Sequence, residues 1–438
     1  MKKIYIFITF LFLTTLMVGQ NKDFVPTNGV IWSDANNWTP SGVPDITNNV
    51  RLPGTIESDL DINLTLSRVQ TVFGTGTAGG TETTIGGAGI LTIDTQLQAN
   101  VNKGIANVSG NGINLIFKGG VVINNTAGGF GNTLMTFGNS DLNEFTFADG
   151  STLTINTPLE ARSGGGSSIY SFNGVIAGAG ALRFSADTNI TFGSTSDNSG
   201  RTGDFVWVGA NSIVTVNTAD NGVFIPSGQK IQSNADNCSI VINGANVYQG
   251  TIGVDGSRIL TFDVNANQNS MENIQFTGAG AGTLNIDVDD SVTELFFGDN
   301  SEGDWKTGTV NITGYKEGVI RFGTDNNGLT AAQLAQITVD GNGGEVALNS
   351  TGYLVNATSL SIDSEALDQL KPIAYPTLAS TTIYFTKPQS NVKVFDLNGR
   401  MVLKNQAENQ SDITINSLNN GIYFIVFDNK KIEKFIKQ

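Results

Sequence analysis

Apolar residues along this chain come in alternating pairs, each followed by a turn of Gly, Asn, Asp or Ser. Examples are Leu91 and Ile93, Leu115 and Phe117, Phe145 and Phe147, Leu153 and Ile155, Leu182 and Phe184, and Ile190 and Phe192. The pattern continues through Val214 and Val216, Ile240 and Ile242, Leu284 with Ile286 and Val288, Leu295 and Phe297, Val310 and Ile312, and Ile320 and Phe322. Residues two apart in a strand share a face, so pairs recurring roughly every 8 to 12 residues predict many short strands with one face buried.

Such spacing fits a series of β-sandwiches or a parallel solenoid. The turns decide for the solenoid, being rich in Asn and Gly with few two-residue hairpin signals. Phe-Gly recurs at Phe73-Gly74, Phe137-Gly138, Phe192-Gly193, Phe297-Gly298 and Phe322-Gly323, as expected if phenylalanines stack from coil to coil beside corners that need positive φ. The fold expected for residues 21–372 is therefore an all-β, right-handed parallel β-helix. Each coil buries its core face only against its neighbours, so the ends need caps. Residues 28–55, with Trp32 and Trp38 six apart and Pro40, Pro44 and Pro53 interrupting strand ladders, read as the N-terminal cap. The same two rings could instead stack on carbohydrate. Toward the other end, residues 303–362 read as the closing segment. They hold the one clear helix signal: Thr330 and Gln333 form a capping box, and Ala331, Ala332 and Ala335 favour helix around Leu334. Pro372 marks the end of this region.

Composition narrows the chemistry. The 53 glycines and 14% charged residues leave little material for long amphipathic helices. Residues 21–372 carry 14 basic against 34 acidic groups, near −20, whereas residues 373–438 carry eight basic against five acidic, near +3. The acidic surface repels nucleic acid, so no nucleic-acid partner is expected. Cys238 is the lone cysteine and cannot form an intrachain disulfide; stability must come from packing and hydrogen bonds. The chain has no histidine, which removes His-dependent triads, imidazole acid–base chemistry and His zinc sites.

The first twenty residues open on Lys2 and Lys3, run apolar over 4–18 and end in small residues near Gly19, the pattern of a signal peptide for Sec export to the periplasm. No later stretch approaches a membrane span, so no integral span is expected after cleavage. Residues 373–438 read as a small Ig-like β-sandwich: Val392, Val394 and Leu397 precede the Asn398-Gly399 turn, Ile413 and Ile415 alternate, and 422–427 is an apolar strand. Here Tyr375-Pro376, "VKVFDLNGRMV" with Asn398, Gly399 and Arg400, "INSLNNGIYFIVF" with Leu418, Gly421 and Tyr423, and the terminal Lys434 and Lys437 occur in order. This set resembles the type A C-terminal sorting domain of Bacteroidetes type IX secretion, although Thr377-Leu378 stands where the family usually has Asn-Pro. The resemblance implies delivery to the outer surface or the medium, with the secretion machinery as partner. Residues 172–216 are similar to autotransporter-associated β-strand repeats, and 303–340 resemble the closing segment of bacterial surface proteins built from them. That similarity implies a β-helix and no reaction.

Candidate chemistry is sparse. In "LNIDVDDS", Asp287 and Asp289 are expected on the outward strand face, opposite Ile286 and Val288. Asp299, Glu302 and Asp304 in "GDNSEGDW", and Asp340 with Glu345 in "DGNGGE", are oxygen-rich loops that could take Ca²⁺, without a known calcium-loop spacing. "SGRTGD" around Arg201 lacks the Gly-Lys-Ser/Thr ending of a phosphate loop and reads as a turn. Phe205 and Trp207 share a strand face, suited to core packing or to a sugar. No catalytic residue and no cofactor is marked. The function expected is that of a secreted or cell-surface, non-catalytic, adhesin-like or matrix protein contacting glycans or cell surfaces. Rival readings are a polysaccharide lyase or glycosidase on a β-helix, and an ice- or crystal-binding face, against which the threonines keep no fixed interval.

Overall fold

A computed structural model describes residues 20–72, 82–94, 105–107, 113–124, 135–137, 143–162, 168–343, 346–357, 372–428 and 431–438. Residues 1–19 of the segment 1–20 expected as a signal peptide, Phe73-Gly74, Gly138, Glu345 and 358–371, which include the end of the closing segment, lie outside the described residues. The chain divides into two compact units, Met1–Thr358 and Ser359–Gln438.

The first unit is a parallel β-solenoid. Its longest sheet has thirteen strands, from Ile56–Asp59 to Asn342–Gly343, parallel throughout except for the last pairing. Antiparallel pairs of sequence neighbours occur only toward the ends of the described unit, Gln20–Phe24 with Trp38–Thr39, Ile337–Val339 with Asn342–Gly343, and Val346–Leu348 with Leu354–Asn356; between them, consecutive strands lie in different sheets and pair with the strand one coil away. Tyr170 pairs with Ile190, Ile190 with Val214, Val214 with Ile240, Ile240 with Phe262, and Phe262 with Ile286, so the length of a turn varies from coil to coil. A sandwich series would pair sequence neighbours as antiparallel hairpins. Two further faces are built from a five-stranded sheet (Leu64–Leu66 to Val175–Ala177), a seven-stranded sheet (Met135–Phe137 to Ile274–Thr277) and, late in the solenoid, a three-stranded sheet of Gln268–Met271, Leu295–Phe297 and Ile320–Phe322.

The alternating pairs point inward as their period demands, and identical positions stack. Phe117, Phe147, Phe172 and Phe192 form a column of near-parallel rings with centroids 4.9, 5.4 and 5.2 Å apart. Phe297 and Phe322 repeat the contact at 4.9 Å. The glycines after these phenylalanines do not share one cause, contrary to expectation. Gly323 has φ +66°, but Gly193 and Gly298 do not adopt positive φ. At Gly193 a Cβ would sit 1.9 Å from the Asn173 Oδ1, so any larger residue there would displace the Asn173 side chain of the neighbouring coil. Positive φ falls instead to Asp187, Asn211 and Asn237. Asp and Asn are the residue types that tolerate it best after glycine. The Asn211 amide donates to Asp187 at 3.3 Å and the Asn237 amide to Asn211 at 3.4 Å, tying three coils at one corner. A second ladder runs through Asn217, Asn243 and Asn265, at 2.7 and 2.9 Å.

At the N-terminal end, Trp32 and Trp38 are buried edge to face at 5.2 Å, with Phe24 against both and the Trp38 Nε1 donating to the Trp32 carbonyl at 2.8 Å. No ring face is left for a sugar. Phe205 and Trp207 are likewise wholly buried. The expected helix forms at Ala331–Leu334 with its capping box. The buried Gln333 also donates to the carbonyls of Asn300 and Gly303, both at 2.8 Å, fastening the helix to the preceding coil.

The second unit is a two-layer β-sandwich. A three-stranded sheet (Ala374–Tyr375, Thr382–Gln389, Gln410–Thr414) faces a five-stranded sheet ordered Leu378–Ala379, Ile432–Lys437, Gly421–Val426, Val392–Asp396, Met401–Asn405. Ile383, Val394, Ile413, Ile415, Ile425 and Phe435 fill the space between.

Candidate functional site

The acidic residues singled out by sequence do not converge. Asp287 is exposed on the outer face of the long sheet, where its carboxylate accepts from the Thr313 hydroxyl at 2.8 Å. Asp289 lies beyond the end of that strand, Thr283–Val288, instead of sharing its face. It accepts from the Ser291 hydroxyl and backbone N–H at 2.7 and 2.8 Å, bonds that hold its carboxyl below the usual range. The direct cross-strand neighbour of Asp287 is Asp263, whose carboxyl is pushed up by burial and by the charges of Asp287 and Asp289. In the loop that follows, Asp299 accepts from the Ser301 backbone and Asp304 from the Lys306 backbone, both at 2.9 Å, each closing its own turn, while Glu302 is exposed. Among the described residues no three acidic, Cys or His side chains are grouped to hold a metal ion.

"SGRTGD" is a turn, but its arginine is a structural post. Arg201 is 2% exposed, donates from Nη2 to the carbonyls of Gly180 and Gly203 at 2.9 and 2.8 Å, and lies 4.7 Å over the Phe205 ring. Burial pushes its guanidinium down to about 10.

A different arginine lines a cleft. Arg321 and Phe296 occupy the outward positions between Ile320 and Phe322 and between Leu295 and Phe297, and the register makes them neighbours. An antiparallel bridge places Tyr353 on the other side of Arg321. The guanidinium carbon lies 4.0 Å from the Phe296 centroid and 5.9 Å from that of Tyr353, and the two rings meet edge to face at 5.8 Å. A guanidinium placed over aromatic rings gains cation–π attraction without using its N–H donors. The buried Nε has no acceptor, and the Arg321 side chain makes no hydrogen bond or ion pair with a described residue. Beside it opens a cleft of about 330 Å³, also lined by Asn269, Ser270, Asp299, Thr324 and Asp325. Of these, sequence reasoning singled out Asp299 alone. The available signal was an arginine and an aromatic at outward positions of alternating strands; their adjacency depends on a coil length that sequence does not give.

In the tail, the Asn398-Gly399 pair forms the hairpin turn between Val392–Asp396 and Met401–Asn405. Gly399 takes φ +74°, and Asp396 accepts from the backbones of Asn398 and Arg400, both at 3.0 Å, and from the Arg400 guanidinium. Leu418 and Tyr423 belong to the core, and the Tyr423 hydroxyl donates to the Asn419 carbonyl at 2.8 Å. Gly421 opens the central strand, Lys434 is exposed, and Lys437 is half-buried. Tyr375 and Pro376 open the unit, with the Tyr375 ring exposed beside Tyr384. Glu433, which the sequence did not mark, accepts from the backbones of Ile373 and Ala374 at 2.6 and 2.8 Å and so anchors the start of the unit to its last strand.

A solenoid followed by a small sandwich defines a protein with a passenger and an appended module. Residues 375–438 match the family model described as a secretion system C-terminal sorting domain. The tail is thus a type IX sorting domain: it interacts with that system's machinery and directs export to the cell surface or extracellular space. The match covers the tail and gives no support to the resemblance of the passenger to autotransporter repeats. No curated protein and no solved structure gives a significant match to the chain. Among the described residues, no helix is long and apolar enough to cross a membrane.

Proposed function

We propose that the passenger is an adhesin-like, non-catalytic scaffold, reaching type IX export after Sec translocation, and that it binds hydroxyl-rich glycan through the cleft beside Arg321. The observation that carries this reading is the guanidinium, 4.0 Å over the Phe296 ring with no described acceptor, in a cleft that also offers carboxylates, an amide and hydroxyls. Neutral sugars present vicinal hydroxyls and ring oxygens, which such a mixed set of donors and acceptors can satisfy, whereas a polyanion would meet Asp299 and Asp325. The other conspicuous side chains are already committed: aromatics to coil-to-coil stacks, asparagines to corner ladders, and Asp287 and Asp289 to local hydrogen bonds.

The test is to screen the purified protein on glycan-coated surfaces and on soluble polysaccharides, with and without calcium, while assaying for new reducing ends and unsaturated uronates. Retention on neutral glycans without products is expected, with Arg321→Ala weakening it about tenfold, the worth of one charge-assisted hydrogen-bonding group. Products that disappear in Asp287→Asn and Asp289→Asn variants would establish the enzyme reading instead. Binding that Arg321→Ala leaves unchanged would remove the cleft from the proposal.

A further inference from the structure

The strand Gly421–Val426 is apolar at every position after its glycine. In a two-layer sandwich a strand needs apolar residues only toward the other layer, and its second face is normally polar. Tyr423 and Ile425 take the inner positions and are buried. By the alternation of a strand, Ile422, Phe424 and Val426 lie on the second face. Their neighbours extend it: Ile422 pairs with Ile436, Val426 with Ile432, and Phe424 with Phe395. Ile432 is 61% exposed, and Leu378, 48% exposed, pairs with Ile436 at the sheet edge. Lysines enter the same rows, Lys393 beside Val426 and Lys434 beside Phe424. The sheet therefore has the composition of one covered on both sides, while the described residues of its own unit supply a cover for one. A contiguous exposed apolar patch edged by charge is the mark of a docking surface.

We propose that this second face of the five-stranded sheet is the surface by which the sorting domain docks on the type IX machinery, against an apolar patch bordered by acidic groups. Two observations select that occupant. The family match assigns residues 375–438 to sorting, so the contact that the machinery reads lies within this unit, and the central strand of this sheet is apolar toward both faces. The rows of the face carry lysines, in a tail with eight basic against five acidic residues, which complement an acidic border. This goes beyond the proposed glycan binding and does not depend on it.

The test compares export of the full chain in its native host for Ile432→Asp, Ile436→Asp and the milder Ile432→Thr, which keeps strand propensity. Leu397→Asp, 65% exposed beside the Asn-Gly turn and outside these rows, is the control. The expected result is that the secreted fraction falls by about tenfold or more for the Asp variants and less for Ile432→Thr, as for the centre of an interface, with protein retained in the cells and the control exported normally. Full-chain variants made in the cytoplasm should melt with the wild type, within about 2 °C. Export of the isoleucine variants at wild-type level overturns the proposal. Lost export accompanied by a markedly lower melting temperature for all three variants also overturns it, because the chain itself would then cover the face. A wild-type dimer that the variants convert to monomer assigns the face to a second copy and equally overturns it.

Discussion

Asp263 and Asp287 face each other across adjacent coils, and like charges opposite one another in a sheet oppose pairing. Burial first, then the charges of Asp287 and Asp289, raise the Asp263 carboxyl above its ordinary value. The native state thus binds that proton more tightly than the unfolded chain, so the repulsion costs stability at neutral pH and is relieved as pH falls through the raised native value. Asp263→Asn should stabilise the passenger at pH 7 by about a few tenths of a kcal/mol, solvent screening keeping the effect small. The gain should vanish in acid; an equal gain at every pH in thermal melts would show that charge is not the cause. Cys238 offers a second test. It is 1% exposed, and burial pushes its thiol up to about 11. At pH 8 it should resist alkylation in the native protein and react once the chain is denatured, because the thiolate is the nucleophile. Stoichiometric labelling of the folded protein would contradict its placement. At this scale the outward position of Asp287 was legible, since alternation fixes it. Its repulsive partner was not, because which residue lies one coil away depends on loop lengths.

At the scale of elements, the stacked column on the long sheet is the feature whose loss should cost most. Phe147 lies between Phe117 and Phe172, and Phe147→Ala would leave a void that rigid neighbouring coils cannot close. A loss of about 3 to 5 kcal/mol is expected, read in denaturant melts of the passenger. Phe147→Leu should cost clearly less, and near-equal losses would argue that ring stacking and volume are not what the site supplies. The strands themselves were readable from period-two alternation, and the helix at Ala331–Leu334 from its capping box, because both signals are local. The buried amides were not readable. Gln268 accepts from the Val247 and Tyr248 backbones at 3.0 and 3.1 Å and donates to the Gly244 carbonyl at 2.8 Å, while Asn300 accepts from Ile274 at 2.8 Å. An amide in a polar stretch between apolar pairs looks the same in sequence whether it faces water or satisfies the backbone of the next coil.

At the scale of the whole molecule, passenger and tail divide the work. Removing residues 375–438 should leave the passenger folded and retained in the cell, because the tail carries the address and has its own core. Fractionation of the native host with a circular dichroism spectrum of the retained protein measures both parts. Equal secretion of truncated and intact chains would contradict the assignment, and a non-β spectrum would show that the passenger needs the tail to fold.

What the sequence determined by itself is what depends on neighbours along the chain. This includes the many one-faced strands, the Asn398-Gly399 turn, the capped helix, the sorting tail, and the chemistry excluded by the lack of histidine. The parallel pairing of coils was inferable from turn composition, and the structure bears it out through strands that skip their sequence neighbours. Tertiary structure alone decided register. Coils of unequal length set phenylalanine on phenylalanine and aspartate against aspartate, and brought Arg321 onto Phe296. They also put positive φ at Asp187, Asn211 and Asn237, while Gly193 and Gly298 of the Phe-Gly corners lack it and Gly323 keeps it. In the tail, among the described residues, the packing of two sheets left Leu378, Ile432 and Ile436 of the larger one exposed on its second face. The physical reason is that a solenoid's contacts run perpendicular to its chain. Small differences in loop length slide one coil against the next without altering the local pattern of either.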